Sequence, residues 1–146
     1  MNRRKLTRMQ FQGKHSDLTE KIIGAFFDVY NEIGYGFSEK VCENALAIRL
    51  RKLGLVVQQQ IPITVYFEGQ VVGNYIADLL IDNLVMVELK AIRELTEEHE
   101  AQLLSYLKAT EIEVGLLLNF GPKAEFERKV FDNERKGSLS WIKQSQ

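Results

Sequence analysis

The chain is organised around a pair of apolar runs that lie between Tyr75 and Lys90. Asp82 and Asn83, a pair typical of turns, separate the two runs, and both runs are rich in aliphatic and β-branched residues. The second run, 84–89, is apolar at almost every position, which is typical of a strand buried on both faces. The pattern predicts an antiparallel hairpin whose second strand lies in the middle of a domain.

Two helices are predicted before this hairpin. Asp17 and Glu20 are three residues apart and resemble a capping box at the start of an amphipathic helix over about 18–33. Gly34-Tyr35-Gly36 is expected to end it, and Ser38 to cap a second helix. The predicted buried face of the second helix consists of Val41, Ala45, Leu46, Leu50 and Leu53.

Strands are predicted next. Leu55 to Phe67 has the pattern of a strand that Pro62 bends or restricts to a sheet edge. Glu68-Gly69 indicates a hairpin turn, after which the chain returns as one long strand to Asp82.

A helix and a further strand follow the central hairpin. Thr96 is expected to cap a helix over about 97–109, and Glu113 to Asn119 has the pattern of a buried strand. Strand, helix and strand in this order predict a right-handed parallel crossover. Phe120-Gly121-Pro122 should end the last strand, and 123–131 fits either a short strand or a helix. The tail that carries Trp141 gives no clear pattern.

The composition adds limits. Residues 1–15 are basic and polar without a sustained period, which predicts a loose N-terminal arm. The length of 146 residues predicts that 16–146 form a single domain. We find no secretory signal and no run long enough to span a membrane. One cysteine excludes an internal disulfide and is typical of a reducing compartment, so we predict a cytoplasmic location. Two histidines and one cysteine are too few for an ordinary closed zinc site.

The charge does not favour a broad nucleic-acid surface, because the net charge is −1 and non-specific binders usually carry a basic excess. Basic residues form only local groups, which are as compatible with solvated surface charge as with contacts to phosphates. These groups are Arg3, Arg4, Lys5 and Arg8; Arg49, Arg51 and Lys52; and Lys123, Arg128 and Lys129.

Candidate chemistry lies at the end of the buried strand. Glu88 and Lys90 are two residues apart, so both side chains point to the same side of a strand. Charges are costly to bury there unless they serve one another or a bound ion. Asp78 lies on the partner strand. A two-residue turn would place Asp78 opposite Val87, whereas a turn of odd length, or a bulge, places it opposite Glu88.

We therefore predict a three-residue turn of Asp82, Asn83 and Leu84, or a bulge, with Asn83 in a left-handed conformation. A two-residue turn would exclude a site shared by Asp78 and Glu88.

Two or three converging carboxylates suit Mg²⁺ or Mn²⁺, which can activate water against a phosphodiester. Lys90 is expected to orient or deprotonate that water or to stabilise charge on phosphorus. Glu39 has two interpretations: a favourable acid at a helix N-terminus, or a third carboxylate for the metal. Phosphate-binding loops, dinucleotide-binding glycines, nucleophilic serine motifs and paired metal-binding histidines are not found in the sequence.

The helix at 97–109 offers a second candidate surface. His99, Gln102 and Tyr106 recur at spacings of three and four and so share one face. This face is expected to border the site, with Gln102 holding a phosphate oxygen or a water. For His99, simple exposure to solvent is the alternative.

These positions carry a resemblance. Asp78, Glu88-Leu89-Lys90 and Gln102 are similar to the signature of the PD-(D/E)XK nuclease superfamily. Over 18–131 the chain resembles the small GxxExxY proteins of that superfamily. The matching stretches are Gly36-Phe-Ser-Glu39-Lys-Val-Cys42, Ile76-Ala-Asp78, Val87-Glu-Leu-Lys90-Ala, 99–108 and 115–121.

The resemblance implies a restriction-endonuclease-like αβββαβ core of the α/β class, with a mixed central sheet flanked by helices. It assigns Asp78 and Glu88 to a metal, Lys90 to catalysis, and Glu39 and Gln102 to supporting roles. It also implies a Mg²⁺-dependent nuclease that acts on nucleic acid, with DNA as the expected substrate and a homodimer as one way to span a duplex.

The chain departs from the family pattern at one position, because the tyrosine that names the group is Cys42 here. A thiol lacks the reach and the hydrogen bond of a phenol. The alternative function is therefore an inactive nuclease-like fold that binds nucleic acid or protein. Cys42 and the net charge favour this alternative, whereas the intact Asp78, Glu88, Lys90 and Gln102 favour the enzyme.

Overall fold

The structure, a computed structural model, describes residues 13–142. Most of the predicted basic arm, 1–12, lies outside the described residues, as does 143–146. Three α-helices precede or interrupt five strands in the described part of the chain. The helices are α1 (Ser16–Ile33), α2 (Glu39–Lys52) and α3 (Glu97–Lys108). The strands are β1 (Val57–Phe67), β2 (Gln70–Ile81), β3 (Val85–Lys90), β4 (Val114–Phe120) and β5 (Ala124–Val130).

The strands form one mixed sheet in the order β1-β2-β3-β4-β5. Neighbouring strands are antiparallel except β3 and β4, which are parallel and joined through α3 as predicted. The segment at 123–131, left open between strand and helix, forms the antiparallel edge strand β5. The arrangement is the α/β architecture expected from the sequence, with a mixed central sheet flanked by helices.

The core lies in two layers, on either side of the sheet. Helices α1 and α2 bury Ile22, Phe26 and Leu46 against Val87 and Leu116 on one side. On the other side, Tyr106 and Leu107 of α3 pack with Met86. Because successive strand residues face opposite sides, Glu88 and Lys90 share the side of Met86 and lie towards α3.

Two predicted details of the helices are wrong. Helix α1 begins at Ser16 without a side-chain cap, and its N-cap, His15, is left-handed with φ 55°, so the capping box of Asp17 and Glu20 is not formed. In α2, Ser38 does cap the helix, but Val41 and Leu53 are exposed. The prediction is confirmed for Leu46 and Leu50, and the rest of the buried face is made by Cys42, Glu43 and Ala47.

The buried face of α2 differs because Glu43, a charged residue, is included in it. Its carboxylate is satisfied by side chains from β1, so burial does not leave it unpaired. Counting apolar residues alone cannot foresee such a partner.

Candidate active site

The turn between β2 and β3 places Asp78 opposite Glu88. Leu79 pairs with Val87 and Ile81 with Val85, so the next opposed pair along both strands is Asp78 and Glu88. The loop is the predicted three-residue turn, and both Asp82 (φ 51°) and Asn83 (φ 57°) are left-handed. The prediction for the register, and for Asn83, is confirmed.

Asp82 connects this turn by hydrogen bonds to Val56, the residue just before β1. Its Oδ1 accepts a hydrogen bond from Val56 N at 2.8 Å, and its own N–H donates to Val56 O at 2.9 Å. These two hydrogen bonds hold the turn at its present length. A shift of the β2–β3 register by one residue would turn the Glu88 side chain to the other face of the sheet.

The two carboxylates brace one another through the backbone. Asp78 N donates to Glu88 Oε1 at 2.8 Å, and Leu89 N donates to Asp78 Oδ2 at 2.8 Å. These bonds replace the regular ladder, whose last paired residues are Leu79 and Val87. Each carboxylate therefore fixes one oxygen on the opposite strand and keeps the other, Asp78 Oδ1 or Glu88 Oε2, for a further contact.

Burial sets the electrostatics of the pair. Glu88 is only 5% exposed, while Asp78 and Lys90 are half-buried, so the pair is not sealed from solvent. Loss of solvent and then the nearby charge of Asp78 raise the pKa of Glu88 to about 8, against the smaller effect of Lys90. Burial also raises the pKa of Asp78, and the charges of Glu43 and Glu39 add to it.

Lys90 and α3 complete the site on the same side of the sheet. Lys90 Nζ lies 3.4 Å from Gln102 Oε1. Tyr106 is buried and its ring centroid lies 5.3 Å from that of Tyr75. Burial, with the charges of Glu88 and Asp78, raises the pKa of Tyr106 to about 12, so the phenol stays protonated and able to donate a hydrogen bond.

His99 and Glu39 lie at the margins. Thr96 N donates to His99 Nδ1 at 3.0 Å, which gives His99 a structural use at the start of α3. Glu39 is exposed and affects the site through its charge, which raises the pKa of both Asp78 and Glu88. For both residues, contact with substrate or metal stays a prediction.

Sequence reasoning missed Glu43, which is 3% exposed and hydrogen-bonded to two glutamines of β1. Gln59 Nε2 donates to Glu43 Oε2 and Gln60 Nε2 donates to Glu43 Oε1, each at 2.6 Å. Glu43 follows Glu39 by four residues, so the two share a helix face, and this spacing was the available signal.

Asn119 was also missed as a site residue. It is fully buried beside Lys90 in the parallel ladder. Its Oδ1 accepts from Ile92 N at 3.0 Å, and its Nδ2 donates to Ile92 O at 3.0 Å and to Glu125 Oε1 at 3.1 Å. This side chain fixes the direction in which the chain leaves β3 after Lys90.

The donor set fits a hard divalent cation of low ligand number. Within residues 13–142, no three His, Cys, Asp or Glu side chains converge as a metal cluster. Mg²⁺, however, is commonly held by one or two carboxylates with waters and substrate phosphate completing the shell. Asp78 Oδ1 and Glu88 Oε2 are the oxygens that would hold it, and a cation there would relieve the repulsion between the two carboxylates.

The fold and these residues define the class. The family model of the PD-(D/E)XK nuclease superfamily matches residues 16–130, and the chain belongs to this superfamily. Membership indicates nuclease activity on nucleic acid, and nucleases of this superfamily generally use divalent metals such as Mg²⁺. Neither a curated protein nor a solved structure matches the chain significantly.

None of the helices in the described part of the chain is long and apolar enough to cross a membrane.

Proposed function

We propose that this protein is a Mg²⁺- or Mn²⁺-dependent nuclease of the GxxExxY group that hydrolyses phosphodiester bonds in DNA. The observation that carries the proposal is the mutual bracing of Asp78 and Glu88, with Lys90 on the same face of β3. A purely structural role would not require a carboxylate that is 5% exposed beside a second carboxylate, because the charge of Asp78 raises the cost of ionising Glu88.

Each residue has a role in this proposal. Asp78 and Glu88 hold the metal, and Glu39 is the third carboxylate, whose charge already raises the pKa of both. When bound, the metal polarises the phosphodiester and lowers the pKa of water near it. Lys90 orients the attacking water and stabilises negative charge that develops on the phosphoryl oxygens.

Helix α3 supports this chemistry. Gln102 holds the Lys90 ammonium through Oε1, and its amide hydrogens are available to a phosphate oxygen. Tyr106 limits solvent at Glu88, while His99 and Tyr106 border the path along which a strand of DNA would pass. A cytoplasmic location and a homodimer that spans a duplex complete the proposal.

The test is cleavage of supercoiled plasmid DNA with Mg²⁺ or Mn²⁺, and with EDTA as the blank. For Lys90→Ala we expect at least a hundredfold slower cleavage, since charge stabilisation and water orientation are lost. Binding of a labelled duplex in EDTA should weaken only slightly, because one of many contacts is removed. Lys21→Ala, an exposed lysine of α1, is the matched control and should cleave like the wild type.

Equal cleavage by wild type and Lys90→Ala would contradict the proposal. A wild type that binds DNA but never cleaves it, with either metal, would favour the inactive binding module. Cys42 no longer favours the inactive binding module as strongly as the sequence suggested. It is fully buried and packs in the core with Leu46. A small apolar residue there has a packing role.

A further inference from the structure

The two strands β1 and β2 change the side on which they pack at a single pair of positions. Val57 and Leu79 lie in the core layer of α1 and α2. Ile63 and Ala77 lie in the layer of α3, although Leu79 and Ala77 are two residues apart and should share a face in a regular strand. The change occurs where Gln60 is opposite Asp78, between the regular pairs Gln59–Leu79 and Ile61–Ala77.

The cause of this change is the backbone of Gln60, which has φ 57° in the middle of a strand. The left-handed conformation is unfavourable for a residue other than glycine, and it persists only where the surrounding structure stabilises it. Like a bulge, it brings two consecutive side chains to the same side. Gln59 and Gln60 consequently both reach Glu43, one on each carboxylate oxygen.

The Gln60 amide also faces the candidate site. Its Nε2 lies 2.6 Å from Glu43 Oε1 and 3.4 Å from Asp78 Oδ1, so one NH₂ group with two hydrogens lies between two carboxylates. Glu43 is itself 3% exposed and lies on α2, a different element from either metal-site strand. The contact therefore joins α2, β1 and β2 at Asp78.

From this arrangement, and resting on the proposed function, we propose that Gln60 is a positioning residue for Asp78 and that Glu43 acts through it. Leu89 N fixes Asp78 Oδ2, and Gln60 fixes Oδ1, so the plane of the carboxylate has one orientation. A carboxylate oxygen has two lone pairs, so Oδ1 keeps one for a metal in a defined direction. Partners of this kind orient metal ligands and raise affinity.

The test uses Gln60→Gly, because glycine adopts φ 57° without strain and removes only the side chain. We expect Mg²⁺ and Mn²⁺ affinity, measured by calorimetry, to fall about tenfold or more, as for other partners of metal ligands. In plasmid cleavage at saturating metal, kcat should fall while KM for DNA changes little, since Gln60 acts on the site and not on DNA. Gln58→Ala is the matched control, an exposed glutamine of the same strand with no side-chain hydrogen bond to the described residues.

A double variant tests whether Glu43 acts through Gln60. Glu43→Gln alone should also weaken Mn²⁺ binding, because its new amide group cannot accept from both glutamines. Adding it to Gln60→Gly should then cause little further loss, whereas two independent roles would multiply. If the fold-losses of Mn²⁺ affinity in the two single variants multiply in the double variant, Glu43 does not act through Gln60.

The outcomes separate this inference from the proposed function. If the wild type binds metal and Gln60→Gly binds it with the same affinity, the positioning role is overturned and the proposed nuclease function is unaffected. A wild type that neither binds Mn²⁺ nor cleaves DNA overturns both. Weaker metal binding in Gln60→Gly, with Gln58→Ala unchanged and a folded protein by circular dichroism, supports the positioning role.

Discussion

At the scale of single residues, the site contains an ionisable group in a position where its charged form is unfavourable. Glu88 lies in a nearly dry position beside a second carboxylate, and its pKa is raised to about 8. Groups held in such an environment lower the stability of the folded protein once they ionise. The proposed metal role would account for this cost, because a bound cation would favour the ionised form.

This environment predicts the pH dependence of the metal-free protein. Between the ordinary pKa of 4.5 and the folded pKa of about 8, the folded protein keeps a proton at Glu88 that the unfolded chain has lost. Stability should therefore fall as the pH rises through this window, by at most about 1.4 kcal/mol per pH unit. Urea unfolding in EDTA at pH 5, 6, 7 and 8 would measure it, and Glu88→Gln should remove most of the slope.

Glu127→Gln is the control for this experiment, since Glu127 is exposed on β5. It should retain the wild-type slope. If Glu88→Gln and the wild type lose stability in parallel with rising pH, the proton is not held at Glu88, and the account of its environment is wrong.

The sequence identified Asp78, Glu88 and Lys90 because strand periodicity and turn length together constrain where their side chains lie. It did not identify Glu43 or Gln60. Their contacts join residues 16 to 18 positions apart, or across three elements, and depend on a left-handed residue inside a strand. No local pattern distinguishes Gln60 from its neighbours Gln58 and Gln59.

At the scale of elements, the exit from β3 is held by a short segment of β4 and the turn after it. Asn119 bonds both backbone groups of Ile92, and Gly121 O accepts a hydrogen bond from Tyr30 of α1 at 2.6 Å. A Cβ on Gly121 would lie 2.2 Å from Ile92 O and 2.7 Å from Asn119 Nδ2. This close approach joins α1, β3 and β4 around Lys90.

We therefore expect Gly121→Ala to destabilise the protein by about 1–3 kcal/mol, because backbone must move to admit the methyl group. Gly24→Ala is the contrasting variant. Gly24 lies inside α1, and the space that an alanine methyl group would occupy there is open, so alanine should stabilise the helix by up to about 1 kcal/mol.

Both free energies come from urea unfolding, and Mg²⁺ calorimetry on the same samples reports on the site. Gly121→Ala should also weaken metal binding if the exit of β3 orients Glu88. Equal free energies of unfolding for the two alanine variants would show that the backbone at Gly121 admits a methyl group without loss of stability, which would contradict the close packing there.

The sequence predicted some features of the helices and strands correctly and others wrongly. The helices, the β1–β2 and β2–β3 turns and the parallel crossover follow from periodicity, caps and turn residues, and the structure confirms them. The prediction for the buried face of α2 is confirmed at Leu46 and Leu50, but it missed Glu43, which is buried through its partners on β1. The start of α1 was wrong because His15, not a capping side chain, precedes the helix.

At the scale of the whole molecule, much of the local basic charge is already paired. Arg49 Nη2 lies 3.0 Å from Glu32, Lys129 Nζ lies 2.5 Å from Glu100, and Lys14 pairs with Glu113 and Asp132. Two of the basic groups considered for phosphate contacts are thus partly engaged within the domain. The third group, Arg3, Arg4, Lys5 and Arg8, belongs to the predicted arm.

This distribution predicts that the arm contributes a large share of DNA affinity. Removing residues 1–12 should weaken binding of a labelled duplex and reduce the slope of log K against log salt by up to about 3.6, for four basic residues. Arg49→Ala should change neither quantity much, since Arg49 is paired. Fluorescence anisotropy in EDTA at several salt concentrations would measure both. A truncated protein with an unchanged slope would assign the phosphate contacts to the domain.

The sequence by itself determined the hairpin, its turn and the residues whose charges stand out against an apolar strand. These features are local: a period of two, a turn of given length and a charge in an apolar run are all read within about fifteen residues. The tertiary structure alone decided the mutual bracing of Asp78 and Glu88, the left-handed Gln60 and the burial of Glu43. The bracing depends on how closely β2 and β3 approach one another, and the other two depend on contacts among α2, β1 and β2. The free energy of a buried charge is set by what surrounds it, which no local pattern specifies.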